Sequence, residues 1–177
     1  MQCVGPDVVT VRQLYLLSVY VHVLAVIVWL GAAAFLVLVM VPWLRTRPRV
    51  EAAELMRALG GRLRNVGWIC LSIIACTGTY NLWARGVRLG LLLEPAWRAS
   101  ETGQLVLAKL AGFVVIAALS LTHDLVLGPR AAQAAAADPG GALALRLRRW
   151  ASGLARVTVM LALGMVALGV MLVRGCP

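Results

Sequence analysis

Four long apolar blocks constrain this chain more than anything else in it. They lie near Leu14–Trp43, Val66–Ala84, Gln104–Leu127 and Leu154–Val173. About 20 residues at ~1.5 Å rise cross a ~30 Å hydrocarbon core, so each block is long enough to span a bilayer. Only helices and closed barrels satisfy every backbone polar group in lipid, and blocks of this length are helical. The expected fold is all-α: an integral membrane four-helix up-down bundle forming one transmembrane domain over residues 1–177. A composition of 62% hydrophobic residues and a mean hydropathy of +0.88 agree with this. The first block is too long for a signal-peptide core and no basic segment precedes it, so it is expected to remain as a helix.

The net charge of +10 would suggest nucleic acid in a soluble protein. Here the basic residues flank the helices, so no nucleic acid is expected and the charge is read as membrane orientation. Arg45, Arg47, Arg49, Arg57, Arg62 and Arg64 follow the first helix, and Arg130, Arg146, Arg148, Arg149 and Arg156 follow the third. The opposite side holds Arg12, Arg85, Arg88, Arg98 and Arg174. Eleven against five places the first and third loops in the cytoplasm of a bacterium. Both termini then lie outside its plasma (inner) membrane, and the basic loops meet anionic lipid headgroups. In the third loop "AAQAAAADPGGALAL" reads as two helical extensions joined by a turn at "DPGG". Cys70 and Cys76 are expected to pack inertly. Cys3 and Cys176 are expected on the same, oxidising side; a disulfide between them and two free thiols both remain open.

Polar residues inside such helices are functional candidates because their burial in lipid is costly. Depth can be estimated from helical rise. His22 lies roughly 9 Å and Lys109 roughly 10 Å outward of the centres of their helices, so the two share a layer. Tyr80 and Asn81 reach the same layer from the second helix, and Met165 and Met171 lie in the outer half of the fourth. His123 falls on the other side of the centre, ~19 Å from His22. One metal or one haem iron therefore cannot take both histidines. His123 joins Asp124 and Arg156 in an inner layer, where Asp124 and Arg156 could pair. "THDLVLGPR" is expected to stop the third helix at its Gly-Pro.

His22, Ala25 and Trp29 share one helical stripe, followed by the small residues Gly31 to Ala34. His22 is read either as a ligand or as a histidine bonded to a neighbouring helix. Lys109 is read either as an anion partner or as a snorkelling cation. Met160, Met165 and Met171 read first as core filler. The chain contains no P-loop, G-x-S-x-G or H-E-x-x-H motif and no cysteine pair with zinc spacing.

"HVLAVIVWLG", "TGTYNL", "KLAGFVVIAALSLTHDLVLGPR" and "GMVALGVMLVRG" occur in that order. Together they resemble the copper-resistance D (CopD) family over roughly residues 15–175. The same superfamily is similar to the HemJ-type protoporphyrinogen oxidases, four-helix membrane proteins that bind haem b. There a first-helix histidine and a third-helix lysine matter, and His22 and Lys109 stand at those positions. The chain departs from those oxidases at "VPWLRTRPR" and "RRWASGLARVTV".

The resemblance implies a haem b-binding redox protein and, as its activity, a haem-dependent oxidoreductase. His22 would be the axial and metal ligand, with Met165 or an open position opposite. Trp29 would pack on the macrocycle. Lys109 with Arg85 or Arg88 would pair with propionates, and Tyr80 would lie in the same layer. Electrons would pass to or from a quinone, a porphyrinogen or an oxygen species. Lys109, His123 and Asp124 are the candidates for catalytic roles. The alternative cofactor is copper, in a CopD-like transport or homeostasis protein. A third reading is an accessory subunit of a respiratory membrane complex, or a homo-oligomer.

Overall fold

The computed structural model describes residues 6–138 and 140–174. These residues are mostly helical, with no strand among them. In chain order the elements are α1 (Pro6–Phe35), a π turn (Leu36–Met40), α2 (Val41–Leu44), α3 (Arg49–Ala84), α4 (Leu89–Leu93), α5 (Pro95–Ala99), α6 (Glu101–Thr122), a second π turn (His123–Leu127), α7 (Gly128–Ala137) and α8 (Ala142–Arg174). They form four stretches apolar and long enough to cross a membrane: Thr10–Leu44, Val50–Ala84, Glu101–Ala137 and Ala142–Leu172. Within each, only 6% to 11% of the most apolar window is buried inside the protein. The remaining apolar surface needs an apolar solvent, which a bilayer supplies. Cys3 and Cys176 lie outside the described residues.

Local chemistry sets the ends of the spans. Gly86, at φ +84°, closes α3. Val87 N–H reaches Leu82 O and Gly86 N–H reaches Trp83 O, each at 3.0 Å, the double bond pattern that lets glycine end a helix. Ser100 caps α6, its hydroxyl accepting from Gly103 N at 3.1 Å. A Cβ on Gly103 would collide with the Trp97 carbonyl, so no other residue fits this tight entry. At the expected "DPGG" turn Asp138 accepts from Gly140 N at 3.0 Å, and α7 and α8 extend on either side of it.

Two expectations fail here. The first loop is far shorter than the basic segment suggests, because α3 already begins at Arg49. Arg57, Arg62 and Arg64 therefore sit on an exposed helical extension. The Gly-Pro of "THDLVLGPR" does not stop the third span, which runs through Pro129 to Ala137. The π turn is the reason. Gly128 N–H bonds to His123 O, one residue further back than in an α-helix. The widened turn changes the carbonyl pattern that a proline ring would otherwise meet. Pro42 has the same solution: a π turn precedes it, and Val41 N–H bonds to Leu36 O.

The spans associate mainly as first with second and third with fourth, and the first also touches the fourth. A small core of Leu71, Ile116 and Ala162 joins the two pairs, with Trp29, Leu30, Trp68, Phe113 and Met165 packed around it. Glycines set the close approaches. A Cβ on Gly67 would stand 3.8 Å from Trp29 Nε1, and one on Gly78 would stand 3.4 Å from His22 Cε1. Rising numbers on α3 meet falling numbers on α1, so the two helices are antiparallel. Gly112 faces Met165 Sδ and Gly169 faces Lys109 Nζ, which makes α6 and α8 antiparallel as well.

Candidate functional site

One polar layer is built around His22 on α1. Its Nδ1 lies 2.8 Å from Thr77 Oγ1 on α3. That hydroxyl has a single proton, and it is placed on Ile73 O at 2.6 Å. Thr77 must then accept, which assigns the Nδ1 proton to His22 and leaves Nε2 as an open lone pair. Ile74 O stands 3.4 Å from the same hydroxyl and faces the ring as a further acceptor. Gly78 provides the room for the imidazole edge. A ring fixed through one nitrogen presents the other in a defined direction, which is how proteins prepare a histidine to ligate.

The cations of this layer come from two spans. Lys109 on α6 lies over Gly169 of α8, its Nζ 3.2 Å from where a Cβ there would stand. Its charge is within range of both His22 and Arg85. Arg85 donates from Nε to Tyr15 OH at 2.9 Å. Lys109 makes no ion pair among the described residues, where the one charged pair is His123 with Asp124. Ser18 Oγ and Asn81 Oδ1 are buried here without hydrogen-bond partners. They stand one helical turn from His22 and Thr77 respectively, on the same faces.

Other sequence candidates fall elsewhere. Tyr80 packs against Trp83, with ring centroids 5.9 Å apart. Arg88 sits over the Trp83 ring at 5.0 Å. Trp29 lies over Gly67, seven residues and about 10 Å along α1 from His22. Met165 packs in the core against Gly112. Met160 and Met171 are exposed on the bundle surface.

The inner layer has a partner that sequence reading missed. Asp124 Oδ2 accepts from Trp68 Nε1 at 2.9 Å, and Oδ1 lies 2.9 Å from His123 Nδ1. The expected pairing with Arg156 does not form; Arg156 is exposed and makes no ion pair among the described residues. The indole donor from α3 takes one carboxylate oxygen, and the neighbouring imidazole takes the other. Thr77 and Trp68 lie nine residues apart on α3, so the two layers are about 14 Å apart along it. Thr77 and Trp68 were both legible only as polar atoms inside an apolar helix. "TGTYNL" carries the first of them, and nothing in the sequence around Trp68 separates it from a packing aromatic.

Among the described residues no group of three or more His, Cys, Asp or Glu side chains could hold a metal ion. A metal in this bundle would depend on few protein ligands, with His22 Nε2 the best prepared.

A four-span helical bundle with polar layers inside its apolar spans is an integral membrane protein. Residues 57–173 match the family "Copper resistance protein D", and the chain belongs to that family. The match covers Trp68, Thr77, Lys109, Asp124 and Met165 but begins after the span that carries His22. A relative in Aquifex aeolicus (strain VF5), described as an uncharacterized protein, is 28% identical over 155 residues, 87% of this chain and 92% of its own length. No solved structure matches.

Proposed function

We propose that this protein handles copper within a bacterial plasma membrane, with both termini outside, and that His22 Nε2 is the donor copper meets in the His22 layer. The observation that carries this reading is the Ile73–Thr77–His22 relay, which leaves one imidazole lone pair directed and unused. Imidazole suits copper, and the thioether of Met165 further along the bundle is a softer donor. Lys109 and Arg85 oppose a bare cation in this layer, so copper binds weakly and passes on. Passage requires binding strong enough to enter and weak enough to leave. The exposed basic residues at the α2–α3 and α7–α8 ends contact anionic headgroups.

A second reading has its own support. Two cations beside a free imidazole, with no carboxylate among the named residues of the layer, suit a ligand that carries anionic groups. Haem b is such a ligand: His22 would ligate the iron while Lys109 and Arg85 hold propionates. Bound haem supplies one-electron chemistry. The chain's residues orient it and set its surroundings, and a quinone or porphyrinogen would be the exchange partner.

One preparation separates the two. The full chain is purified in detergent, and metal content and a reduced-minus-oxidised visible spectrum are measured on the same sample. Copper handling predicts a colourless protein that takes up Cu(I), lost in His22→Ala and weakened about 10- to 100-fold in Thr77→Val. A Soret band that His22→Ala removes transfers the assignment to haem b. Copper uptake and colour that are both indifferent to His22 overturn both readings.

A further inference from the structure

We propose that Trp68, His123 and Asp124 form a proton-binding site at the opposite end of the bundle from His22, with His123 Nε2 as the atom that takes the proton. This inference does not depend on what the His22 layer binds.

Asp124 is the sole acidic residue within the central apolar part of the four spans, where an unpaired carboxylate is costly. Its two oxygens are both engaged, by Trp68 Nε1 and by His123 Nδ1, each at 2.9 Å. A carboxylate accepts, so the His123 Nδ1 proton points at Asp124 and Nε2 is left as the basic atom. The side chain of Asp124 is 18% exposed and that of His123 is 39% exposed. The carboxylate is therefore the more shielded of the two, and the imidazole is open at the surface of the bundle. Arg130, seven residues and about 10 Å further along the span, marks the approach of water.

The backbone makes this contact between sequence neighbours. Residues i and i+1 of an α-helix do not face each other. His123 and Asp124 open the π turn, and the extra residue in that turn reduces the angle between successive side chains. The same π turn carries the span past Pro129, so one backbone irregularity serves both ends.

The charged residues that surrounding elements bring to this end are arginines. Arg64 stands a turn before Trp68 on α3, Arg130 lies on α7, and Arg149 and Arg156 lie on α8. All four are exposed, and none pairs with Asp124. The carboxylate thus depends on neutral donors until a proton arrives. When Nε2 binds a proton from water, Nδ1 keeps its own. The dyad changes from one net negative charge to a neutral imidazolium–carboxylate pair, which is better tolerated in an apolar surrounding.

The chain has only two histidines, so the test is direct. The full chain with ¹⁵N-labelled histidine is placed in lipid nanodiscs and its imidazole signals are followed from about pH 4 to about pH 9. His123→Gln assigns the signals. The expected result is a neutral His123 with its proton on Nδ1 that gains a proton on Nε2 as pH falls. In Asp124→Asn the neighbouring group can donate as well as accept, so the Nδ1 proton is expected to lose its fixed position and the two neutral tautomers to mix. Asp124→Glu keeps a carboxylate beside the ring and is expected to restore the Nδ1 tautomer that Asp124→Asn loses, which separates the acceptor's role from mere loss of packing. A His123 signal that holds one protonation state throughout, or whose neutral tautomer is the same in Asp124→Asn, overturns the proposal.

Discussion

The two polar layers hold the same residue type in opposite ways. His22 donates to a neutral hydroxyl, which passes the bond to a backbone carbonyl, and its neighbours Lys109 and Arg85 are cations. His123 stands beside a carboxylate, and its neighbours on other helices supply an indole donor and no ion pair. An imidazole fixed by a neutral relay keeps its lone pair for a metal or an anionic metal complex. One beside a carboxylate is suited to becoming cationic. On the two proposals above, the surroundings rather than the histidine separate a ligand site from a proton site.

The largest expected effect comes from removing the inner carboxylate. Asp124→Ala leaves Trp68 Nε1 and His123 Nδ1 without acceptors and cuts the hydrogen bond between the second and third spans. A loss of about 1–2 kcal/mol is expected, chiefly from the indole donor left unmet inside the bundle. Reversible unfolding in mixed micelles measures it. A loss below about 0.5 kcal/mol would mean that the inner layer is not tied as described.

A smaller effect is expected in the other layer. Thr77→Val removes the acceptor for His22 Nδ1 but leaves Ile74 O close to the ring. The expected loss is about 1 kcal/mol, the ordinary scale of a side-chain hydrogen bond between membrane helices. Thr77→Ser should restore it in the same unfolding measurement. If serine fails where threonine succeeds, the methyl group's packing and not the relay holds His22.

How much of this was legible in sequence follows from which forces leave a local signature. Hydropathy marks the spans because each must bury a continuous apolar length in lipid, so all four were found. It does not mark where helix ends, which is why Arg49–Arg64 read as loop and Ala131–Ala137 needed alanine propensity to be seen as helix. The π turns leave no pattern at all. They appear only as the reason that Pro42 and Pro129 can follow long helices, and a rule based on proline alone stopped the third span too early. Depth counting placed His22 and Lys109 in one layer from rise per residue, which requires only straight helices. Partners were harder, because a bond such as Trp68 to Asp124 depends on rotation about the helix axis. Opposite charge made Arg156 the obvious partner for Asp124, yet Arg156 is exposed and the Trp68 indole stands within hydrogen-bond reach instead.

The smallest expected effect is an absence of coupling, and it tests the comparison most directly. Thr77 and Trp68 are nine residues apart on α3, about 14 Å at helical rise. Between them the spans meet through the Leu71, Ile116 and Ala162 core, which packs without a polar link between the layers. Sites this far apart with no shared partner add to within about 0.5 kcal/mol. The double variant Thr77→Val with Asp124→Ala should therefore lose the sum of the two single losses in the same micelle assay. A coupling above about 1 kcal/mol, of either sign, would show that the layers communicate. The core would then transmit a rotation or shift of α3 from one histidine to the other, and ligand binding at His22 and proton binding at His123 would be two halves of one device.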